Sequence, residues 1–225
     1  MSALTLRPTS VKRAVAIDIS KEMAEYNAEL VQETLGSELS GKFLYITDDM
    51  RHFVFDEKEE QFDSVWILLG SMSHLKSNAD VINCFKSSRK ALKTGGTLIV
   101  ELPHPRETFT MVECTRDTWE VPVEGDEGED ALLTVIWGDD DDDFSPITQI
   151  RDFTVSMDLA DVKSGTSIQK VQEKVPMRLF TAQEIDVISQ CSGFEVTGMY
   201  GALDKDVDIH SEEAFRLVCV LRACE

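Results

Sequence analysis

At 225 residues the chain is long enough to bury one large core and carry a sizeable insertion. Its charge is unusual: 22 basic against 42 acidic residues leave a net of −20. That balance repels phosphate backbones and anionic lipid, and no Lys/Arg cluster opposes it, so nucleic-acid and membrane-surface roles are disfavoured.

The opening "MSALTLRPTSVKR" has too short an apolar part for an export signal, though its basic, acid-free composition is compatible with a transit peptide. From Arg13 to Ile17 the residues are mostly Val, Ala and Ile, as in a strand buried on both faces of a parallel sheet, and the run ends at Asp18. Ser20 is placed to cap a helix whose Met23, Tyr26, Leu30 and Val31 share one face. Beyond a turn around Gly36 and Gly41, "KFLYITDDM" reads as a second strand finishing in Asp48 and Asp49. A third strand, "FDSVWILLGS", leads through a turn into a helix marked by Val81, Phe85, Ser88 and Leu92. The glycines of "KTGG" stand where a left-handed helix cap is needed, and "TLIVELP" follows as a fourth strand.

After Pro103 the period changes to two. "TWEVPV", "ALLTVIWG", "QIRDFTVSMDL" and "SIQKVQEKVPMRLF" predict an inserted antiparallel sheet. The acidic runs "EGDEGED" and "GDDDDD" read as solvated loops; the second lacks the glycine and distal Glu of a calcium loop. Thr181 and Glu184 form a capping box on a last helix that Gly193 ends, and two closing strands, "EVTGMYG" and "AFRLVCVLRA", complete the chain. The expected organisation is therefore an α/β core over 1–105, an inserted β segment over 106–180 and a helix with closing strands over 181–225. Five scattered cysteines without metal or redox spacing predict reduced thiols in a cytoplasmic protein.

An acid at the tip of a strand can accept hydrogen bonds from both hydroxyls of a ribose, and ligands of open α/β sheets sit beyond the carboxyl ends of the strands. Asp18 has that position, although an Asp there also serves as a helix cap, and the same geometry would suit a nicotinamide cofactor. Asp18, then Asp49-Met50, then the "LLGS" turn, then "ALKTGG" before "TLIVELP" occur in an order that resembles the class I S-adenosylmethionine-dependent methyltransferases. The resemblance implies a Rossmann-like, doubly wound, mostly parallel sheet. It makes Asp18 the ribose acid, with Ile19 and Met23 near the adenine and Asp49 and Met50 on its other side. Leu69, Gly70 and Ser71 would run past the methionine part of S-adenosylmethionine, and the inserted sheet would cover a small-molecule methyl acceptor.

The family's first strand and glycine-rich loop have no counterpart here. The first glycine is Gly36, and the residues before Arg13 are too few for a strand, loop and crossover helix. The expected core is N-terminally incomplete relative to the family, with an open sheet edge that favours self-association into a homo-oligomer. His74 and His104 are the candidate bases. Arg106 is a candidate for a substrate carboxylate or a surface ion pair, and Trp119, Trp137 and Tyr200 for an apolar wall or plain core. The leading expectation is a small-molecule methyltransferase. A non-catalytic interaction protein on the same fold is the second reading and a nicotinamide oxidoreductase the third.

Overall fold

The structure, a computed structural model, describes residues 11–55, 61–106, 117–123 and 130–225. Strand β1 (Ala14–Asp18) pairs in parallel with β2 (Phe43–Thr47), and helix α1 (Lys21–Ser40) makes the crossover. A second sheet places β3 (Phe62–Ile67) parallel to β4 (Leu92–Pro103). Beyond β4 lie β11 (Arg216–Ala223) and then β10 (Phe194–Tyr200), both joined by antiparallel pairing. The α/β expectation holds, but among the described residues the sheet is divided: β1 pairs only with β2, and β3 only with β4.

Helix α2 (Asn78–Ala91) shows why the second sheet is the stable part. Ser77 Oγ caps it by accepting the Asp80 N–H at 3.1 Å. Val81, Cys84, Phe85 and Ser88, spaced i, i+3, i+4, i+7, are all fully buried against the sheet with Leu98, Val100, Leu217 and Leu221. The glycine pair of "KTGG" does not cap this helix. Leu92 is already extended at the cap position, and Gly95 (φ 78°) instead turns the chain inside β4, where its register with β3 shifts. At Gly96 an added Cβ would lie 2.9 Å from the Lys93 carbonyl oxygen, so a side chain there forces the backbone apart. Helix α1 also departs from expectation: Val31 is buried, but Met23 and Tyr26 are exposed. Burial of the Cys84 and Cys219 thiols pushes each up to about 12, so both stay protonated.

The β1–β2 unit is docked on α2 chiefly through Arg51. Its Nη1 lies 3.1 Å from Asp80 Oδ1, and its carbonyl accepts the Ser87 hydroxyl at 3.0 Å. Met50 packs against the main core, and the Arg13 guanidinium lies 5.3 Å from the Phe62 ring centroid. The Phe55 ring adds a contact with Phe62, centroids 5.0 Å apart, and ties this few among the described residues imply a separately opening unit. Arg51→Met is expected to speed amide hydrogen exchange in β1 and β2 roughly fivefold while β4 and β11 keep their protection. Equal changes in both sheets would show that they open together.

The inserted sheet runs β5 (Asp117–Val123), β6 (Ala131–Trp137) and β8 (Ile150–Asp161). β8 also pairs with β9 (Ser167–Arg178) and the two-residue β7 (Phe144–Ser145). Asp142, within the acidic run, is anchored rather than merely solvated: its carboxylate accepts the Thr154 N–H and hydroxyl. The run at 124–129 lies outside the described residues. Helix α3 (Ala182–Cys191) ties this sheet to the core. Glu184 closes the capping box with Thr181, accepts Gln149 Nε2 at 2.7 Å and pairs with Arg178 at 2.9 Å. Burial alone would raise the Glu184 carboxyl, but the hydrogen bonds from Gln149, Thr181 and Arg178 outweigh it and hold it below the ordinary range. No described helix is long and apolar enough to cross a membrane.

Candidate active site

The carboxyl ends of β1, β2 and β3 carry most of the residues that the sequence singles out. Asp48 N–H donates to the Asp18 carbonyl at 2.9 Å, which extends the β1–β2 pairing and sets the two acids on adjacent strand ends. Asp18 Oδ1 accepts the Ser20 N–H at 2.9 Å, and Ser20 Oγ accepts the Met23 N–H at 3.1 Å, so side chains close the turn into α1. Asp18 thus has a capping role, yet it is only half-buried and a carboxylate has further lone pairs for hydroxyl donors. Burial and then the Asp18 charge push the Tyr45 phenol above its ordinary range. Ile19 is 74% exposed, Met23 46% and Tyr26 59%, an apolar group that follows the acid directly.

Asp49 is more heavily engaged. Arg51 donates from Nη2 to Oδ2 at 2.6 Å and from Nε to Oδ1 at 3.0 Å, and these bonds hold the Asp49 carboxyl below the usual carboxylate range. A further donor at Asp49 would share the carboxylate with Arg51.

Beyond β3 the chain makes a tight turn. Leu69 (φ 55°) and Gly70 (φ 71°) are both left-handed, and Ser71 N–H donates to the Leu68 carbonyl at 3.1 Å. For leucine that conformation costs about 1–3 kcal/mol. Its side chain is 79% exposed. Glu101, which the sequence reading passed over, lies under the turn: its Oε2 accepts the Leu69 N–H at 3.0 Å. The available signal was a lone acid inside the apolar run "TLIVELP", because a buried carboxylate needs partners. Met177 of β9 reaches the same turn, its Cε 3.9 Å from where a Cβ on Gly70 would stand.

The 3-10 helix Ser71–His74 buries Met72 and Ser73 and leaves His74 exposed. His104 is differently placed. It is buried, its Nε2 is 2.9 Å from the Ile209 carbonyl and its Nδ1 accepts the Arg106 N–H, so the ring is the Nε2–H tautomer with no free lone pair for a substrate proton. Arg106 donates to the Ala214 carbonyl at 3.0 Å and to that of Ser211, which fixes the β10–β11 loop. Trp119 and Trp137 share one face of the inserted sheet, where Trp137 packs on Phe153, while Tyr200 lies on β10 of the other sheet. Among the described residues no group of three or more His, Cys, Asp or Glu is arranged to hold a metal ion.

Residues 2–100 match the methyltransferase domain family. The protein of Bacillus subtilis (strain 168) named "Putative methyltransferase YqeM" is 28% identical over 183 residues, which make up 80% of this chain and 64% of that protein. The chain therefore spans less than two thirds of that curated relative. Among solved structures, the CcbJ methyltransferase from Streptomyces caelestis superposes with a TM-score of 0.69 at 15% identity, over 99% of this chain and 79% of that one. CalS10, an amino pentose methyltransferase from Micromonospora echinaspora solved with S-adenosylmethionine bound, superposes at 0.63 and 15% identity, over 98% and 78%.

The side chains at the strand ends suit that cofactor. A half-buried carboxylate fits hydroxyl donors, and the exposed apolar residues after it fit a flat aromatic base. Residues 2–100 thus carry the likeness to the methyltransferase domain family, and the chain has the fold of solved S-adenosylmethionine-dependent methyltransferases.

Proposed function

We propose that this chain forms the catalytic core of a methyltransferase acting on a small polar amine. The observation that carries the reading is the junction of Asp18 with exposed Ile19 and Met23 at the carboxyl end of parallel strands. Asp18 would accept the ribose hydroxyls, Ile19 and Met23 would pack on the adenine with Asp49 and Met50 opposite, and Leu69 to Ser71 would line the methionine part. Bound S-adenosylmethionine supplies an activated methyl carbon. The protein's part is alignment, exclusion of water and removal of the acceptor's proton.

Two observations support an amine. A net charge of −20 draws cations toward the protein, and CalS10, of the same fold, is described as an amino pentose methyltransferase. A cationic amine must lose a proton before it attacks, and exposed His74, beside the Leu69–Ser71 turn, is the base we assign. His74→Gln is expected to lower kcat about a hundredfold on an amino-sugar acceptor with cofactor affinity unchanged. An unchanged kcat would remove His74 from the reaction.

Calorimetric titration of S-adenosylhomocysteine into the chain tests the cofactor site, with nicotinamide dinucleotide as competitor. Saturable binding that the dinucleotide does not displace supports the proposal. The division of the sheet between β1 and β3 favours a second reading, a non-catalytic interaction protein on this fold, and a folded chain without binding would support it. The same edges, unpaired among the described residues, suit homo-oligomer formation by strand pairing, which sedimentation velocity reads directly.

A further inference from the structure

The turn after β3 combines two costly features. A leucine is held in a left-handed conformation with its side chain in solvent, and a carboxylate is buried beneath it. Glu101 is 4% exposed and makes two separate bonds to the turn: its side-chain Oε2 accepts the Leu69 N–H at 3.0 Å, and its main-chain carbonyl accepts the Gly70 N–H at 3.1 Å. Register explains the reach. Ile67 pairs with Val100, so Glu101 comes level with the point where the chain leaves β3. The other carboxylate oxygen lies 3.4 Å from Arg216 Nε on β11, which balances the charge and fixes the side chain. Ser71 closes the turn from the far side, with both its N–H and its hydroxyl on the Leu68 carbonyl.

Nothing in packing requires a leucine here. Asn or Gly would adopt the same backbone with less strain, and the Leu69 side chain buries little in the protein. Strain that the surroundings hold so firmly is typical of residues that contact a ligand. We infer that Glu101 is a positioning residue, which fixes the Leu69 main chain so that the leucine side chain is presented to the cofactor; this rests on the cofactor site proposed above.

The test is calorimetric titration with S-adenosylhomocysteine of the wild type, Asp18→Ala, Glu101→Ala, Glu101→Gln and Leu69→Ala. Glu101→Ala is expected to weaken binding about tenfold, because the Leu69 N–H loses its acceptor. Glu101→Gln keeps an acceptor oxygen and is expected to stay within about threefold of the wild type. If the residue served only as a partner of Arg216, Gln and Ala would weaken binding alike, and that result overturns the inference. Leu69→Ala alters an exposed side chain and leaves folding intact; it is expected to weaken binding about threefold to tenfold. Unchanged affinity in this variant also overturns the inference, even where Glu101→Ala does not fold. Wild-type binding that Asp18→Ala removes, with all Glu101 and Leu69 variants unaffected, leaves the cofactor site standing and refutes the positioning role. No binding by the wild type refutes both.

Discussion

Asp18→Ala is expected to weaken S-adenosylhomocysteine binding about thirtyfold to a hundredfold and to lower the melting temperature by only a few degrees. The affinity loss follows from the chemistry of the pair: a hydrogen bond to a charged group contributes about 1.5–3 kcal/mol, and each 1.4 kcal/mol is tenfold in affinity. The stability loss is smaller because the bonds Asp18 makes in the free protein, to the Ser20 N–H and the Tyr45 hydroxyl, are local ones, the first comparable to a helix cap of about 1 kcal/mol. Asp18→Asn separates the two effects. The amide oxygen still accepts the Ser20 N–H, so stability stays near wild type, while the lost charge weakens binding to an intermediate level. Equal affinity for all three proteins, by the same titration, would move the ribose site away from β1.

The sequence shows the strand-end acids because "AVAID" and "YITDD" stop at an acid after an apolar run, and parallel strands bring such ends together. It also shows the buried face of α2, since Val81, Phe85, Ser88 and Leu92 repeat at helical spacing. The same periodicity misleads in α1. Met23 and Tyr26 lie in phase with Val31 but are exposed, because the two described strands on which the helix packs do not cover them. The role of His104 depends on the Ile209 carbonyl, 105 residues away, which no local pattern could reveal. Arg51 was closer to legible. An Arg two residues after an acid can turn back on it, and here it occupies Asp49 while docking β2 on α2. Of the two "KTGG" glycines only Gly95 is left-handed, and it lies in the strand rather than at the helix end.

Phe85→Ala is expected to destabilise the protein by about 3–5 kcal/mol, the largest loss anticipated for a single side chain here. Phe85 is fully buried on α2 and its ring meets Phe194 edge-on, with centroids 6.0 Å apart, so truncation leaves a cavity and removes an aromatic pair. Against a total stability of about 5–15 kcal/mol, that is a large share. Val187→Ala, at an exposed position on α3, is the matched control and should change stability by less than about 0.5 kcal/mol. Urea titration followed by tryptophan fluorescence reads the difference, because Trp66 lies in β3 and Trp119 and Trp137 in the inserted sheet. A single transition with a lowered midpoint and unchanged slope would mean that these two sheets unfold together, as the Glu184 links between β8–β9 and α3 imply. Two transitions, with only the Trp66 signal displaced, would mean that those links do not couple the sheets. The β1–β2 pair contains no tryptophan, so its opening is silent in this signal and is followed by hydrogen exchange. Comparison of the two methods on Phe85→Ala then asks whether Arg51, anchored on α2 through Asp80 and Ser87, passes the loss of α2 packing to the strand end that carries Asp49.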